Sequence, residues 1–271
     1  MANPIVDRRD LSFLLDEVLA VETLTRRARF AEHSRATFDA VLDTAERLAQ
    51  AEFAPHNRRS DEEEPRWDGS VVTIIPEVKA ALDAFSGAGF MAMRADLEDG
   101  GMQLPETIVQ AVMAVFMSAN IATTAYAMLT QAAANVIARF AAPEQRAVWL
   151  QPMLEGRIFG TMALTEPQAG SSFADIRTSA EAAGDGTWRI VGSKIFISGG
   201  AHELSDNIVH LVLARSRERR SGRRHRASRA SPSFSCQNIC PVGRAAAARA
   251  TASHWPGSFT RWAIAALSRR C

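Results

Sequence analysis

The residues best suited to chemistry lie in one short stretch, Phe159 to Ser172, with the sequence FGTMALTEPQAGSS. Its first half is apolar and predicts a strand, which Pro167 and Gly170 end. The turn that follows offers hydroxyl and backbone N–H groups at one place, from Thr165, Ser171 and Ser172. Such a turn can present hydrogen-bond donors to a flat polar ligand without carrying charge. An ordinary surface β-turn is the alternative interpretation.

Four blocks of sequence occur in an order that resembles the acyl-CoA dehydrogenases. They are DLEDGGMQLP at 96–105, APEQRAVWLQPMLEG at 142–156, MALTEPQAGSS at 162–172 and GSKIFISGG at 192–200. The third block resembles the family's flavin-binding signature, although it ends in Gly-Ser-Ser where Gly-Ser-Asp is usual. The resemblance covers about the first four-fifths of the chain and ends near Arg215. The long N-terminal lead is similar to that of a larger branch of the family.

The resemblance implies an FAD cofactor and two segments that contact it. The first segment would line the flavin ring with Met162, Leu164 and Thr165. Ser171 would lie near the flavin phosphates or the acyl-CoA, and is therefore also the candidate substrate-binding residue. The second segment is Phe196, Ile197 and Ser198, where the family often has Trp-Ile-Thr. Phe196 lacks the indole N–H, whereas Ser198 keeps a hydroxyl that could hydrogen-bond flavin N5.

The implied reaction is α,β-dehydrogenation of an acyl-CoA thioester, with electrons passing to electron-transfer flavoprotein or a similar acceptor. The catalytic Glu of the family belongs to a C-terminal helical domain, and no acid before Arg215 matches it. A carboxylate within hydrogen-bond reach of the substrate is needed for proton abstraction. The expectation is therefore that no catalytic residue is present, that the chain as printed is inactive and that it binds flavin weakly. The intact family member is expected to be a homo-oligomer.

Other residues that could do chemistry have plainer interpretations. Glu166 stands beside Pro167 and is expected to shape the turn rather than act as a base. Lys194 is expected to be exposed in a Gly-Ser-Lys hairpin turn. His202 and His210 lack a third ligand and are expected to be structural, so no metal site is predicted. The glycines of 192–200 do not form the fingerprint of a dinucleotide-binding turn.

The charge divides the chain into two unlike pieces. The first 215 residues hold 19 basic and 29 acidic residues, whereas residues 216–271 hold 12 Arg, no Lys and one acid. This tail has no sustained hydrophobic period and is expected to be disordered. One hypothesis is a reading-frame shift near Arg215; the other is an authentic tail that replaces the C-terminal domain. Such a tail could alternatively bind nucleic acid, because clustered Arg neutralises phosphates, but few aromatic residues accompany it.

Cysteine usage and hydropathy bear on location. All three cysteines lie in the tail, so neither a disulfide framework nor a zinc site is expected before it, and a cytoplasmic protein is predicted. Cys236 and Cys240 have only a weak metal-like spacing. The N-terminus shows no secretory signal. The uncharged stretch between Glu106 and Arg139 is long enough for a membrane helix, but its polar and small residues favour two buried helices that break near Asn120.

The hydrophobic periods predict an α+β protein. Helices are expected after an Asp10 cap, over 34–53, over 76–90 and after Pro143, with a charged loop over 57–69. Short strands are expected at 158–164, 176–182, 188–191, 195–198 and 208–213, the last with an unpaired edge. The predicted organisation is an all-helical N-terminal domain over 1–156 and a partial antiparallel β-barrel domain over 157–215. An Arg-rich tail over 216–271, which is expected to be disordered, completes it.

Overall fold

The structure, a computed structural model, describes residues 5–69, 72–183 and 187–217 together with the backbone of three short strands further along the chain. The chain folds as two compact units. The helical unit comprises Met1–Arg66, Thr73–Gln131 and Leu154–Gly156. The β unit comprises Trp67–Val72, Ala132–Met153 and Arg157–Cys271. A helical N-terminal part thus precedes a small β-sheet domain, as predicted.

Seven α-helices occur among the described residues: α1 (Arg8–Ser12), α2 (Arg35–Leu48), α3 (Asn57–Glu62), α4 (Pro76–Gly87), α5 (Glu106–Ala119), α6 (Ile121–Phe140) and α7 (Pro143–Leu154). A capping box begins α2, because Ser34 accepts from the Thr37 amide and the Thr37 hydroxyl accepts from the Ser34 amide. A wider π-helical turn at Ala49–Phe53 then extends α2. The predicted helix over 34–53 is therefore confirmed.

Four phenylalanines form the centre of the helical unit. Phe53, Phe85, Phe90 and Phe116 are each at most 1% exposed. The ring of Phe116 lies 4.8 Å from those of Phe53 and Phe85 and 5.4 Å from that of Phe90, measured between centroids. Tilted and edge-to-face pairs at these distances are favourable beyond the apolar area that they bury. Phe116 therefore joins α5 to the end of α2, to α4 and to the turn that follows α4.

The loop over 96–104 folds back onto the residues that precede it. The amides of Gly101, Met102 and Gln103 donate to the carbonyls of Asp96, Ala92 and Ala95, respectively. Gly101 lies so close to Ala95 that a Cβ on it would stand 2.2 Å from the Ala95 carbonyl oxygen. A glycine is required there because the obstacle is backbone, which cannot rotate away.

Gly101→Ala is expected to lower the free energy of unfolding by more than about 2 kcal/mol, the scale of other overpacked sites. Gly87→Ala is the matched control, because nothing lies within 4 Å of the Cβ that it would add. Urea unfolding of both variants measures the difference. Equal stability of the two variants would show that the loop relaxes without cost.

The β unit contains one mixed sheet. Four of its seven strands are β3 (Ile158–Ala163), β4 (Ser179–Ala182), β5 (Thr187–Val191) and β6 (Asn207–Arg217); the other three follow further along the chain. A separate two-residue pair, β1 (Arg66–Trp67) and β2 (Val72–Thr73), comes earlier in the chain. β6 lies parallel to both β3 and β4, while β4 and β5 form an antiparallel pair. One core cluster of this unit consists of Ala163, Ala180, Ile190, Val212 and Ala214.

Three predictions about the β unit are wrong. The sheet is an open, mixed one rather than part of an antiparallel barrel, because β6 runs parallel to both β3 and β4. Residues 195–198 form no strand, since the backbone turns there. The apolar segment 208–213 has no unpaired edge, because β6 pairs with β3 on one side and with β9 (Trp262–Leu267) on the other.

Two predictions about the helical unit are also corrected. Asp7, not Asp10, caps α1 and accepts from the amides of Arg9 and Asp10. The start of the charged loop over 57–69 is helical, because Arg58 and Arg59 pair with Glu62 and Glu63 at i,i+4 spacing along α3. The break near Asn120 is confirmed, since α5 ends at Ala119 and α6 begins at Ile121.

The tail beyond Arg217 is described only at β7 (Pro232–Phe234), β8 (Arg249–Ser253) and β9, which pair into the sheet. The expectations of a disordered tail, of a nucleic-acid arm and of a role for Cys236 and Cys240 otherwise fall outside the described residues. In the part of the chain that is described, no helix combines the length and apolarity needed to cross a membrane.

Candidate functional site

The first candidate segment leaves the sheet at the end of β3. Met162, Leu164 and Thr165 are half-buried. The Thr165 carbonyl accepts a hydrogen bond of 3.0 Å from the Ile195 amide. The structure therefore brings the first segment against the second, although 29 residues separate Thr165 from residue 195 in the chain and no strand ladder joins the two segments.

The second candidate segment presents an aromatic ring to solvent. Phe196 is 87% exposed, the largest value among the exposed large apolar residues of the described chain. Its backbone has φ +60°, a left-handed conformation that is strained for a residue with a bulky side chain. Ile197 packs against the sheet core, and the Ser198 side chain is exposed beside Phe196. Observed strain of this kind leads to a hypothesis of function.

The two serines of the turn lie apart from any strand. Ser171 and Ser172 are exposed, and the Ser172 carbonyl accepts from the Asp175 amide at 3.3 Å. This turn precedes a short 3₁₀ segment at Phe173–Asp175. The hydroxyl of Ser171 is thus available to a ligand at the surface of the β unit, while its assignment to phosphate or acyl-CoA stays a prediction.

Glu166 is the most highly coordinated charge of the site. It is buried, and its carboxylate accepts from Lys194 Nζ at 2.7 Å, from the Arg177 amide at 2.7 Å and from the Thr178 amide at 3.0 Å. The side-chain amide of Gln168 donates to it at 2.7 Å. These contacts agree with a turn-shaping residue, and they extend its role to the start of β4.

The prediction that Lys194 is exposed is wrong. The side chain is 7% exposed, and Nζ donates to the Leu164 carbonyl at 2.9 Å as well as to Glu166. Sequence reasoning missed this pair, although one signal was present. The segments 158–172 and 190–202 each carry one charged residue, and the two charges are opposite.

The two partners of this ion pair respond differently to burial. Burial raises the pKa of Glu166, but hydrogen bonds from Lys194, Thr178 and the Arg177 amide outweigh it and hold that pKa at about 2. Burial lowers the pKa of Lys194, and Glu166 offsets this only in part. Glu166 also accepts hydrogen bonds from two backbone amides, so the carboxylate is the charged group that the site stabilises. A carboxylate so strongly held is a poor general base near neutral pH.

Among the described residues of the β unit, the two histidines make packing contacts. His210 Nδ1 lies 2.6 Å from Thr161 Oγ1, and burial lowers the pKa of His210 to about 4. His202 Nδ1 accepts from the Leu204 amide, and its ring packs edge-to-face on Phe159. Across the described residues, no group of three or more His, Cys, Asp or Glu is arranged to hold a metal ion.

Two family models match the sequence. The acyl-CoA dehydrogenase N-terminal domain matches residues 36–157, and the acyl-CoA dehydrogenase middle domain matches residues 161–230, which extends past Arg215. A 3-methylmercaptopropionyl-CoA dehydrogenase of Ruegeria pomeroyi is 34% identical over 77% of this chain and 35% of its own length. The chain spans about a third of the length of the curated relatives that it matches.

Solved structures show the same fold. A butyryl-CoA dehydrogenase of Megasphaera elsdenii gives a TM-score of 0.54 at 24% identity, over 66% of this chain and 44% of that one. A glutaryl-CoA dehydrogenase of Mycobacterium smegmatis, solved in complex with FADH2, gives 0.55 at 20% identity, over 66% of this chain and 42% of that one. Both likenesses concern the arrangement of helices and sheet.

Proposed function

Because the chain belongs to the acyl-CoA dehydrogenase family and carries its N-terminal and middle domains, we propose that its β unit holds FAD for acyl-CoA dehydrogenation. The observation that carries the proposal is the exposed, strained Phe196 beside the half-buried end of β3. A bulky ring is not held in such a conformation for packing, because at 87% exposure it buries little area.

The residues present fit a flavin. An isoalloxazine ring has apolar faces and an edge of carbonyl and ring-nitrogen acceptors. The two segments, held together by the Ile195–Thr165 hydrogen bond, offer matching chemistry: an aromatic face at Phe196 and hydroxyl donors at Thr165 and Ser198. The solved glutaryl-CoA dehydrogenase of the same fold is a complex with FADH2, which supports the choice of cofactor.

Each residue has a proposed role toward that cofactor. Met162, Leu164 and Thr165 from the first segment, and Phe196 and Ile197 from the second, would contact the ring. The Ser198 hydroxyl would donate a hydrogen bond to the ring edge. Ser171 binds phosphate oxygens of the cofactor or of the acyl-CoA. FAD, when bound, supplies the hydride acceptor for oxidation of the substrate β-carbon.

Proton abstraction from the substrate α-carbon is proposed to require a carboxylate from elsewhere. Glu166 is the acid beside the candidate site, and its pKa of about 2 and its four donors leave it no capacity to act as the base. In the family the base belongs to a C-terminal helical domain. We therefore expect the polypeptide as printed to show no dehydrogenase activity by itself.

The remaining assignments rest on the family. A short or sulfur-containing acyl-CoA is the proposed substrate class, by similarity to the 3-methylmercaptopropionyl-CoA dehydrogenase. Electron-transfer flavoprotein or a similar protein is the proposed acceptor, and the intact protein is proposed to form a homo-oligomer in the cytoplasm.

The proposal is tested by titrating the purified chain with FAD and following quenching of flavin fluorescence. Saturable binding of FAD supports the proposal. Dehydrogenase activity is assayed separately, with butyryl-CoA as the substrate and a dye as the electron acceptor. If neither the chain nor a version joined to a C-terminal domain of the family retains flavin, the proposal fails.

Phe196→Asn is expected to separate stability from binding. Asn tolerates the left-handed conformation, so stability should rise by about 1 kcal/mol, while loss of the aromatic face should weaken FAD binding about three- to tenfold. Thermal unfolding and the FAD titration measure the two effects. Phe13→Asn, at a half-exposed aromatic of the helical unit, is the control. A gain of stability without loss of affinity would remove Phe196 from the site.

A further inference from the structure

The Glu166–Lys194 pair joins three separate segments of the β unit. Glu166 follows β3 and receives donors from Gln168 in the turn, from Arg177 and Thr178 before β4, and from Lys194 after β5. Lys194 in turn reaches back to the Leu164 carbonyl. A single buried carboxylate thus gathers the chain on both sides of the site.

A close backbone approach supports the same arrangement. A Cβ at Gly192 would stand 2.6 Å from the Thr178 Cα, so only glycine fits where the segment carrying Lys194 passes the start of β4. Two residues after Lys194 comes Phe196, and two residues before Glu166 comes Leu164. The pair therefore connects the two segments that the proposed function assigns to the flavin, through Lys194 to Glu166 and to the Leu164 carbonyl.

Because the Glu166–Lys194 pair is buried, a contribution to stability alone is a poor explanation for it. Replacing a buried ion pair by apolar side chains of similar volume is often neutral or stabilising, because both charges must be desolvated. A pair that serves geometry, in contrast, fixes where each segment lies, since the carboxylate satisfies two backbone amides at defined distances.

We propose that Glu166 and Lys194 are positioning residues that set the placement of residues 162–165 relative to residues 196–198, and thereby the shape of the flavin site. This inference rests on the proposed function for the identity of the ligand. The placement of the two segments concerns the β unit alone.

The test uses the full chain with the double variant Glu166→Gln/Lys194→Met, which removes both charges. The variant is expected to bind FAD at least tenfold more weakly than the wild type, with a Tm within a few degrees. Amide hydrogen exchange should accelerate at least tenfold at Arg177, Thr178 and Ile195, while the amides of β6 keep their protection. Lys79→Met/Asp83→Asn, at an exposed i,i+4 pair of α4, is the matched control and should change neither the FAD affinity nor the amide exchange.

Two further variants sharpen the test. Lys194→Arg keeps the charge and is expected to retain most of the affinity. The exchange Glu166→Lys/Lys194→Glu keeps the attraction but removes the acceptor from the amides of Arg177 and Thr178, so it should not restore affinity or protection. If the double variant does not fold, Glu166→Gln/Lys194→Gln, which also removes both charges but keeps polar side chains, replaces it, with the same expected acceleration at Ile195.

The outcomes distinguish the inference from the proposed function. Wild-type affinity together with wild-type exchange in the double variant would overturn the inference and leave the proposed function intact. If the wild type binds no FAD, the proposed function fails, and the exchange pattern alone decides whether the pair positions the two segments. Restoration by the charge exchange would also overturn it, because the pair would then act by attraction only.

Discussion

Lys194→Met is expected to lower the free energy of unfolding by about 3–5 kcal/mol, because it leaves Glu166 as a buried charge without its cation. The two atoms of the pair are 2.7 Å apart, and the side chains are 7% and 3% exposed. Urea unfolding at neutral pH measures the loss. Lys79→Met removes an exposed cation from Asp83 and should cost no more than about 0.5 kcal/mol.

The pH dependence gives this prediction a second readout. The folded pKa of Glu166, about 2, is below its ordinary value of 4.5, so its stabilisation is present above about pH 4.5 and is lost as pH falls toward 2. Without Lys194 the folded pKa rises toward the ordinary value, so the stability that is lost between about pH 4.5 and the folded pKa should be smaller than in the wild type. An unchanged acid profile, or a stability loss no larger than that of the Lys79 control, would contradict the role given to the pair.

Phe116→Ala is expected to cost about 3–5 kcal/mol, because its ring is fully buried and contacts three other aromatic rings. Deleting it removes the shared neighbour of Phe53, Phe85 and Phe90 and leaves a cavity that helices can fill only in part. Thermal or urea unfolding, followed by far-ultraviolet circular dichroism, measures the change.

Phe13→Ala is the control for that substitution, because Phe13 is 50% exposed in the same unit. Its effect should stay below about 1 kcal/mol, since half of its surface already faces water. Comparable losses for the two variants would mean that the aromatic cluster does not anchor the helical unit.

Helices were predictable where local signals agreed. Ser34 and the apolar spacing of Phe38, Leu42 and Ala45 identify α2, and all three apolar residues are buried. Asn120 separates α5 from α6 as its polar character suggests, and its side chain caps the next helix by accepting from the Thr123 amide at 3.0 Å. The cap at α1 was misassigned because Asp7 and Asp10 are both acceptable caps and only the backbone conformation distinguishes them.

The sequence identified the two candidate segments, but it did not predict the contacts that join them. Thr165 and Phe196 occur in recognisable motifs, whereas the burial of Lys194 depends on a partner 28 residues away. The motif at 195–198 has the composition of a strand, yet Phe196 adopts a left-handed conformation that no local propensity favours. Parallel pairing of β6 was missed for the same reason, because strand order is a tertiary property.

The parallel pairing of β3 with β6 has a consequence for synthesis on the ribosome. Thr161 pairs with His210, 49 residues later, and β6 lies between β3 and β4 in the sheet. The β4–β5 hairpin, whose ends Ser179 and Val191 pair, can form as soon as it emerges. β3 must wait, with apolar residues uncovered, until β6 has left the exit tunnel. Translation speed between residues 164 and 207 therefore governs how long the nascent chain is open to chaperones and to aggregation.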